Sequence, residues 1–494
     1  MRAENYVQEK LFIGGEWVAP LDGEVVASID PSNGKEWARI AFGGPRDIDR
    51  AVAAAQAALR GPWGRMSGTE RAAILRRLGA LMDERSEHLA QLETRDNGLP
   101  IRDTRATMKA QAQWFYYFAG MADKIDGRAI SNDKNVHAFT TRVPVGVVGA
   151  ILPWNAPMQM ISWKTAPALA AGCTLVIKPA EQTPVTAAEF ARLAIEAGVP
   201  PGVINIVSGY GASVGAHLAG HLGVDKISFT GEHSTAQEIM KKGMVNMKRF
   251  TFECGGKSPH ILFEDADLAQ AMNAATHSAF AFCGQSCALG SRLLVQRSIY
   301  DRVVDELAQR ARRIRVGQPL DEATQMGPQA HAEQMKKTLS YIDIGSGEGA
   351  QLVAGGKRIT EGALGDGYFV EPTVFSNVHN SMRVARDEIF GPVVSVIPFK
   401  DEEEALEIAN DTRYGLVAGL WTRDVGRAHR VSSQIQAGTV WVNTYRYIRW
   451  NIPYGGIGIS GMGRENGPEV IDYYTETRAT VIGLSGEYTD YYAK

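Results

Sequence analysis

Short apolar runs alternate with amphipathic stretches from about residue 143 onward, and this alternation constrains the fold more than any other feature. The runs read VGVVGAIL, TLVIK, VINIVSG and KISFTG, and the amphipathic stretch TAAEFARLAIEAG lies between two of them. Apolar runs that alternate with helices indicate βαβ units and a buried parallel sheet. A second alternating set spans about residues 260–455. The sequence therefore predicts an α/β fold with two doubly wound lobes, an arrangement that usually places a ligand between them.

The sequence patterns at the two ends of the chain differ from those of the two lobes. Near the N-terminus, DIDRAVAAAQAALRG and TERAAILRRLGALMDERSEHLAQL carry apolar residues at helical spacing and predict helices. The C-terminal EVIDYYTETRATVIGL has no obvious place in either lobe. A terminal strand of this kind often pairs with another subunit, so we expect a small β element that joins subunits.

Composition excludes several classes of protein. The 494 residues carry a formal charge of only −3, so nucleic acid is not an expected partner. Four cysteines in so long a chain favour a reducing, cytoplasmic setting over a disulfide scaffold. The start MRAENYVQEK has no apolar core of a signal peptide. Residues 143–163 are uncharged, but their three prolines indicate a strand, a turn and a helix, so no membrane span is expected.

Two cysteines lie four residues apart in FCGQSC, as Cys283 and Cys287. The spacing does not match a CxxC zinc half-site, and no metal site is expected. A buried cysteine without chemistry is one interpretation, because free cysteine is among the most buried residue types. A nucleophile is the other, since the turn in GQSC supplies backbone N–H groups that can face a substrate oxygen. That interpretation favours Cys287, which follows the turn.

Two further stretches carry groups suited to acyl chemistry. Glu253 ends the apolar run FTFE before Gly255 and Gly256, where a carboxylate can act as a general base or simply face solvent. Asn155 lies between two prolines in PWNAP, where its amide can stabilise an oxyanion or cap the following helix.

The sequence contains a dinucleotide-binding pattern that departs from the usual fingerprint. SGYGASVG contains Gly209, Gly211 and Gly215 after the run VINIV, one residue off the usual glycine fingerprint. In IKPAEQTP, Lys178 and Glu181 flank a turn after a predicted strand. They can bind ribose hydroxyls and phosphate, or form a salt bridge with each other.

Taken together, these stretches resemble the aldehyde dehydrogenase superfamily over nearly the whole chain. The resemblance is carried by motifs in family order: LFIGGEWV, PWNAP, KPAEQTP, FTG, FECGGKSP, GQSC, GYFVEPTVF, DEIFGPV, YGLVAGLWTRD, GTVWVN and PYGGIGISGMGRENG. It implies a Rossmann-like cofactor domain from residues 1–122 and 144–255, and a catalytic domain from residues 256–455. It also implies an oligomerisation element from residues 123–143 and 456–494, in a homodimer or homotetramer.

The resemblance also implies the site residues. Cys287 resembles the nucleophile, Asn155 the oxyanion donor, Glu253 the base that activates water, and Lys164 a proton-relay lysine. The cofactor positions that it implies are Ile151, Trp154, Lys178, Glu181, Gly211, Gly215, Phe229, Thr230, Gly231, Glu232, Gln334, Glu388 and Phe390. The substrate tunnel that it implies is lined by Ala156, Met160, Trp163, Ala281, Ser286, Arg446, Ile448 and Tyr454.

Two departures from the family pattern bear on cofactor and substrate. Glu232 stands near the expected pyrophosphate, where many members have serine, and a carboxylate there opposes phosphate unless it points away. Ala156 and Ala281 replace aromatic residues of relatives that oxidise small aldehydes. The extra volume predicts a bulky, largely apolar aldehyde. A carboxylated semialdehyde is the alternative substrate, because Arg446 and Arg449 can bind its carboxylate. The other interpretation is that both arginines face solvent.

Glu181 favours NAD over NADP, because its carboxylate can bind the ribose 2′-OH and repels a 2′-phosphate. Three other activities remain as alternatives. A CoA-acylating relative tends to lack the glutamate at the position of Glu253. A cysteine hydrolase needs an oriented histidine, and no histidine lies in such a motif. A non-catalytic structural relative is expected to lose Cys287, Glu253 or Asn155, and all three are present.

Overall fold

The computed structural model describes residues 6–21, 23–130, 134–486 and 488–493. Within these ranges the strands are short and regularly spaced, as the alternating apolar runs predict. They are β1 (Tyr6–Gln8), β2 (Leu11–Ile13), β3 (Glu16–Val18), β4 (Glu24–Asp30), β5 (Lys35–Phe42), β6 (Ala129–Ile130), β7 (Val136–Pro144), β8 (Val147–Ile151), β9 (Thr174–Lys178), β10 (Ile204–Ile206), β11 (Lys226–Thr230), β12 (Arg249–Glu253), β13 (Pro259–Leu262), β14 (Arg292–Gln296), β15 (Gln351–Ala354), β16 (Thr373–Ser376), β17 (Val393–Phe399), β18 (Val417–Trp421), β19 (Thr439–Val442), β20 (Gly461–Met462) and β21 (Thr475–Gly483).

The helices begin and end at recognisable signals. Ser67, for example, caps the helix that follows it: its Oγ accepts from the N–H of Glu70, and the Glu70 carboxylate accepts from the N–H of Ser67. The helices are α1 (Pro45–Arg60), α2 (Pro62–Arg65), α3 (Gly68–Glu84), α4 (Ser86–Asn97), α5 (Ile101–Met121), α6 (Pro157–Ala171), α7 (Val185–Glu196), α8 (Ala216–Gly220), α9 (His233–Gly243), α10 (Leu268–Phe280), α11 (Tyr300–Arg313), α12 (Ala332–Gly347), α13 (Arg383–Arg386), α14 (Glu402–Asn410) and α15 (Val425–Gln434).

The first large sheet has eight strands in the order β20-β12-β11-β8-β9-β10-β2-β3. The five strands from β12 to β10 are parallel, while β2, β3 and β20 pair antiparallel at the two edges. The carboxyl ends of parallel strands meet at one edge of a sheet, where ligands of open α/β sheets bind. Residues that follow β8, β9, β11 and β12 therefore lie along one edge.

The second large sheet has seven strands in the order β15-β16-β17-β14-β13-β18-β19, all parallel except β15. Together the two sheets confirm the predicted α/β fold with two lobes. The uncharged stretch of residues 143–163 forms the end of β7, strand β8, a turn and the start of α6, as predicted. Among the described residues, no helix is both long and apolar enough to cross a membrane.

Two smaller sheets complete the structure. One has the order β1-β5-β4, and the other has the order β21-β7-β6, in which β21 pairs antiparallel with β7 over its full nine residues. Val481, Ile482 and Leu484 are exposed on and just after β21. The assignment of this sheet to subunit assembly, and the domain boundaries, stay predictions.

Candidate active site

A cavity of about 180 Å³, here called the inner cavity, lies where the carboxyl edge of the first sheet faces the second lobe. Most of the residues that the sequence predicts for the site line it. They are Trp154, Asn155, Ala156, Met160, Trp163, Thr230, Gly231, Glu232, Glu253, Ser286, Cys287, Gln334, Glu388, Phe390, Arg446, Ile448 and Tyr454. The sequence interpretation did not include Gln159, Cys254, Phe282 or Lys337, which line it as well.

Cys287 is partly exposed to this cavity and lies among hydrogen-bond donors. Its Sγ is 3.8 Å from the Tyr454 hydroxyl oxygen. The Asn155 side-chain amide donates to the Gln285 carbonyl oxygen at 2.8 Å, which leaves its second N–H available. In the described part of the chain, the Cys287 N–H has no hydrogen-bond acceptor. Two donors therefore stand free near the thiol, as an oxyanion site requires.

The backbone before Cys287 follows an unusual path. Phe282, Cys283 and Gly284 have φ of 53°, 57° and 76°, a left-handed conformation that non-glycine residues rarely adopt. A Cβ at Gly284 would lie 2.0 Å from the Gly391 carbonyl carbon, so this residue must be glycine. The tight turn presents Phe282 to the cavity and turns the next side chain away from it.

That next side chain is Cys283, whose thiol is buried and lines neither cavity described for this site. It packs with Leu99 and Met326, and its sulfur accepts from the Gly327 N–H at 3.2 Å. The two cysteines thus occupy different environments. Cys283 belongs to the core, while Cys287 faces the cavity.

Burial raises the pKa of the Cys287 thiol to about 11, and the nearby carboxylates of Glu253 and Glu388 add to the effect, while the Tyr454 hydroxyl opposes it. Below this pKa the thiolate fraction rises tenfold per pH unit. We therefore expect the rate of alkylation of Cys287 by iodoacetamide, without cofactor, to rise about tenfold per unit between pH 7 and 9. The rate is measured by peptide mass spectrometry. A flat rate would mean that the thiolate already exists at pH 7.

Glu253 ends strand β12 and is buried at 3% exposure. Burial raises the pKa of its carboxyl well above the usual range, Glu465 raises it further, and Lys164 and Arg464 oppose the shift. Its Oε2 has no hydrogen-bond partner among the described residues. A buried carboxylate with a raised pKa and a free oxygen can accept a proton near neutral pH.

Lys164 lies behind Glu253 and reaches neither cavity. Its Nζ contacts Glu465 Oε1 at 2.7 Å and donates to the Ser228 hydroxyl at 3.1 Å, and both charged side chains are fully buried. The sequence predicted Lys164 but not Glu465, because the two residues are 301 positions apart and only the packing of α6 against the C-terminal segment joins them.

Removing only one charge of the Lys164–Glu465 ion pair is expected to destabilise the fold. In Lys164→Met, the Glu465 carboxylate is left buried without its cation, and we expect a loss of about 3–5 kcal/mol in unfolding free energy. The double variant Lys164→Met/Glu465→Leu removes both charges and should be more stable than Lys164→Met. Urea denaturation followed by fluorescence measures both values. A double variant no more stable than the single one would contradict the argument.

The remaining predicted cofactor residues form a second group beside the inner cavity. Lys178 Nζ forms an ion pair with Glu181 Oε2 at 3.2 Å, and the Glu181 carboxylate also accepts from the Gly211 N–H. A Cβ at Gly215 would touch the Lys178 side chain at 3.8 Å. The salt bridge and the ribose-binding interpretation are thus compatible, since one carboxylate can do both. Ile151 and Phe229 are buried in the sheet core next to this group.

Glu388 and Phe390 occupy the opposite wall. Glu388 Oε1 accepts from the Gly256 N–H at 2.9 Å, and a Cβ at Gly255 would lie 1.9 Å from Glu388 Oε2, so a larger residue at 255 would displace the Glu388 carboxylate. Gln334 donates to the carbonyl oxygen of Phe390, whose ring meets the Trp154 ring edge-on at 5.3 Å.

These residues fit a bound dinucleotide. The Glu388 carboxylate is fixed through one oxygen, and the Lys178–Glu181 pair offers a cation and a carboxylate of the kind that bind ribose hydroxyls. Glu232 is exposed, lies immediately before helix α9 and lines the inner cavity. An exposed carboxylate can rotate into solvent, so it does not prevent phosphate from approaching the helix N-terminus.

A larger outer cavity of about 550 Å³ leads into the inner one. The two share Gln159, Trp163, Phe282, Arg446 and Ile448. Ala281, which the sequence predicted for the tunnel, lines only the outer cavity. The Trp163 ring stacks on Trp114 at 5.8 Å and meets Tyr454 edge-on at 5.4 Å, so the passage has an aromatic wall.

The chain resembles known proteins over almost its whole length. Residues 17–480 match the model of the aldehyde dehydrogenase family. Aldehyde dehydrogenase family 2 member C4 from Arabidopsis thaliana is 44% identical, over 96% of this chain and 95% of its own. An aldehyde dehydrogenase from Enchytraeus buchholzi is 46% identical, again over 96% and 95%. A crystal structure of a betaine aldehyde dehydrogenase mutant from Staphylococcus aureus, in complex with NAD+, superposes with a TM-score of 0.97 at 38% identity, over 99% and 100%.

Proposed function

The chain belongs to the aldehyde dehydrogenase family, and we propose that it oxidises an aldehyde to the carboxylic acid with NAD+ and water through a thioester on Cys287. The enzyme is an NAD(P)-dependent aldehyde dehydrogenase. One observation carries the proposal of mechanism: a thiol, an amide donor and a buried carboxylate, those of Cys287, Asn155 and Glu253, face one small cavity.

In the first half-reaction the Cys287 sulfur bonds to the aldehyde carbon, and its proton leaves to a base. The carbonyl oxygen becomes an oxyanion, which accepts hydrogen bonds from the Asn155 amide and the Cys287 N–H. NAD+, when bound, supplies the hydride acceptor. Loss of hydride from the tetrahedral adduct leaves an acyl thioester on Cys287.

In the second half-reaction Glu253 takes a proton from water as the water oxygen bonds to the thioester carbon. The carbon–sulfur bond then breaks, and the carboxylic acid leaves with Cys287 restored. Burial raises the pKa of Glu253, which makes its carboxylate a stronger base than an exposed glutamate.

The test is a product analysis. The purified enzyme with NAD+ and benzaldehyde should form NADH and benzoate in equal amounts, read at 340 nm and by chromatography. Added coenzyme A should neither raise the rate nor appear as benzoyl-CoA. Formation of the acyl-CoA would favour the acylating alternative instead.

For the cofactor we propose a preference for NAD+ over NADP+, because the Glu181 carboxylate repels a 2′-phosphate. We expect kcat/KM with NAD+ to exceed kcat/KM with NADP+ by at least about tenfold. In Glu181→Gln we expect the NAD+ to NADP+ ratio of kcat/KM to fall by a similar factor. The exposed Glu36→Gln is the matched control. Equal kcat/KM for the two cofactors in the wild type would contradict the proposal.

Substrate, assembly and location are further proposals. The alanines at 156 and 281 still favour a bulky, largely apolar aldehyde over acetaldehyde, with a carboxylated semialdehyde as the alternative. The similarity to a betaine aldehyde dehydrogenase adds a cationic aldehyde as a third candidate. We also propose a cytoplasmic homo-oligomer, a dimer or tetramer, joined through the sheet that contains β21.

A further inference from the structure

We propose that the aldehyde substrate carries a carboxylate at the end away from its aldehyde group, and that Arg446 binds this carboxylate at the junction of the inner and outer cavities. The inference rests on the proposed oxidation of an aldehyde at Cys287 and names the class of substrate. It chooses one of the alternatives that the sequence left open.

Arg446 forms no direct ion pair with a carboxylate of the described residues, although Asp103 and the Cys287 thiol both attract its charge. Arg446 lines both cavities, and its Nη1 is buried with no hydrogen-bond partner among the described residues. No described carboxylate lies within 4 Å of its guanidinium, which instead stacks over the Phe282 ring at 4.5 Å. A buried donor of a charged group without a partner costs free energy, so a ligand that supplies the acceptor gains affinity there.

The backbone at Arg446 supports a functional role. This residue has φ of 58°, in the left-handed region that non-glycine residues rarely adopt. Such strain persists where the surroundings hold it, and it often marks ligand-binding positions. The guanidinium of this residue lies in the passage that joins the two cavities.

The other charged groups of the outer cavity do not cancel Arg446. Asp103 attracts Arg446 but is shared with Arg102, which lies 3.4 Å from it, and Arg310 is paired with Glu306 at 2.7 Å. Arg449 adds a second cation that forms no ion pair with a described carboxylate; it donates to the carbonyl oxygen of Ile448. The passage therefore keeps an excess of positive charge.

His277, which also lines the outer cavity, does not alter this balance. Burial lowers the pKa of His277 to about 4, and Arg446 and Arg102 lower it further, so it is neutral at pH 7.

Part of the inner cavity, which both Arg446 and Cys287 line, is apolar. Met160, Trp163, Ile448 and Tyr454 supply this apolar surface. A substrate that fills this passage therefore has an apolar middle, with the aldehyde at Cys287 and the anion at Arg446. A quaternary ammonium aldehyde would place its positive charge beside the guanidinium, which like-charge repulsion disfavours.

Two pairs of aldehydes, matched in shape, test the proposal with the full-length enzyme and NAD+. They are 4-formylbenzoate against 4-methylbenzaldehyde, and 5-oxopentanoate against pentanal. We expect wild-type kcat/KM to favour the carboxylated member of at least one pair by about tenfold or more. In Arg446→Met that preference should fall by about 10- to 100-fold, and Arg446→Lys should retain part of it. Arg39→Met, which removes an exposed arginine of the first lobe, should keep the wild-type ratio.

The affinity of the enzyme for the acid products is a second test of the proposal, and it does not depend on catalysis. Terephthalate and 4-methylbenzoate differ only by the distal carboxylate. Isothermal titration of the wild-type enzyme should give a Kd about tenfold lower for terephthalate, and the difference should vanish in Arg446→Met.

The proposal is overturned if the wild-type enzyme prefers the neutral aldehydes, or if the kcat/KM ratio of carboxylated to neutral aldehyde is the same in wild type and Arg446→Met. In either case, formation of NADH would still support the proposed oxidation. If neither aldehyde of any pair yields NADH and acid, the proposed function fails, and the titration alone then decides whether Arg446 binds an anion. If Arg446→Met does not fold, Arg446→Lys and the wild-type titration carry the test, and equal affinity for the two products overturns the proposal.

Discussion

Replacing Cys287 by alanine is expected to abolish NADH formation with every aldehyde. Alanine has no sulfur to bond the aldehyde carbon, so neither the tetrahedral adduct nor the thioester can form, and cofactor binding alone cannot replace covalent catalysis. We expect kcat to fall by at least about a thousandfold. The measurement is NADH absorbance at 340 nm, with the bound cofactor titrated separately by fluorescence to show that the site is intact.

Cys283→Ser is the matched control, because it changes the other sulfur of the same segment. Its hydroxyl can still accept from the Gly327 N–H, and the residue lines neither cavity. We expect this variant to keep a kcat within a few fold of the wild type, with some loss of stability from a polar group in an apolar contact. Loss of activity in the Cys283 variant alone would reverse the assignment of the nucleophile.

The fold was open to prediction because its signals are local. Each parallel strand of the first lobe is a short apolar run, and α7 between β9 and β10 carries helical periodicity, so β8, β9, β10 and β11 can be predicted without any tertiary contact. The choice of Cys287 over Cys283 was also local, through the turn in GQSC. The structure adds the cause, since the left-handed backbone at Phe282 and Cys283 separates the two side chains.

What the sequence did not reveal depends on contacts between distant segments. Glu465 became visible as the partner of Lys164 only when α6 packed against the C-terminal segment. The sequence left open whether Arg446 faces solvent or the site, and in the structure it lines both cavities. Gln159 lines the inner cavity but lies in no motif, and Cys254 lines it from within FECGGKSP without having been assigned a role. The positions of charged and polar side chains thus depend on tertiary packing, whereas strands and helices can be predicted from the local sequence.

Replacing Glu253 by glutamine is expected to separate the two half-reactions. The amide is nearly the same shape but cannot accept a proton, so the thioester should form and then persist. We expect a burst of about one NADH per active site, followed by a steady state slower by about 10²- to 10⁴-fold. Stopped-flow absorbance records the burst, and mass spectrometry of the quenched enzyme should find the acyl group on the peptide that contains Cys287. The exposed Glu36→Gln controls for the loss of one carboxylate.

The size of the burst decides between two roles for Glu253. Burial raises the pKa of both the Cys287 thiol and the Glu253 carboxyl, so the same carboxylate can take the proton from the thiol or from water. If it serves the thiol, Glu253→Gln loses the burst together with the steady state, and activity recovers as pH rises and the thiolate forms without help. If it serves water, the burst survives and only the slow phase is lost. An unchanged steady state would remove Glu253 from both steps.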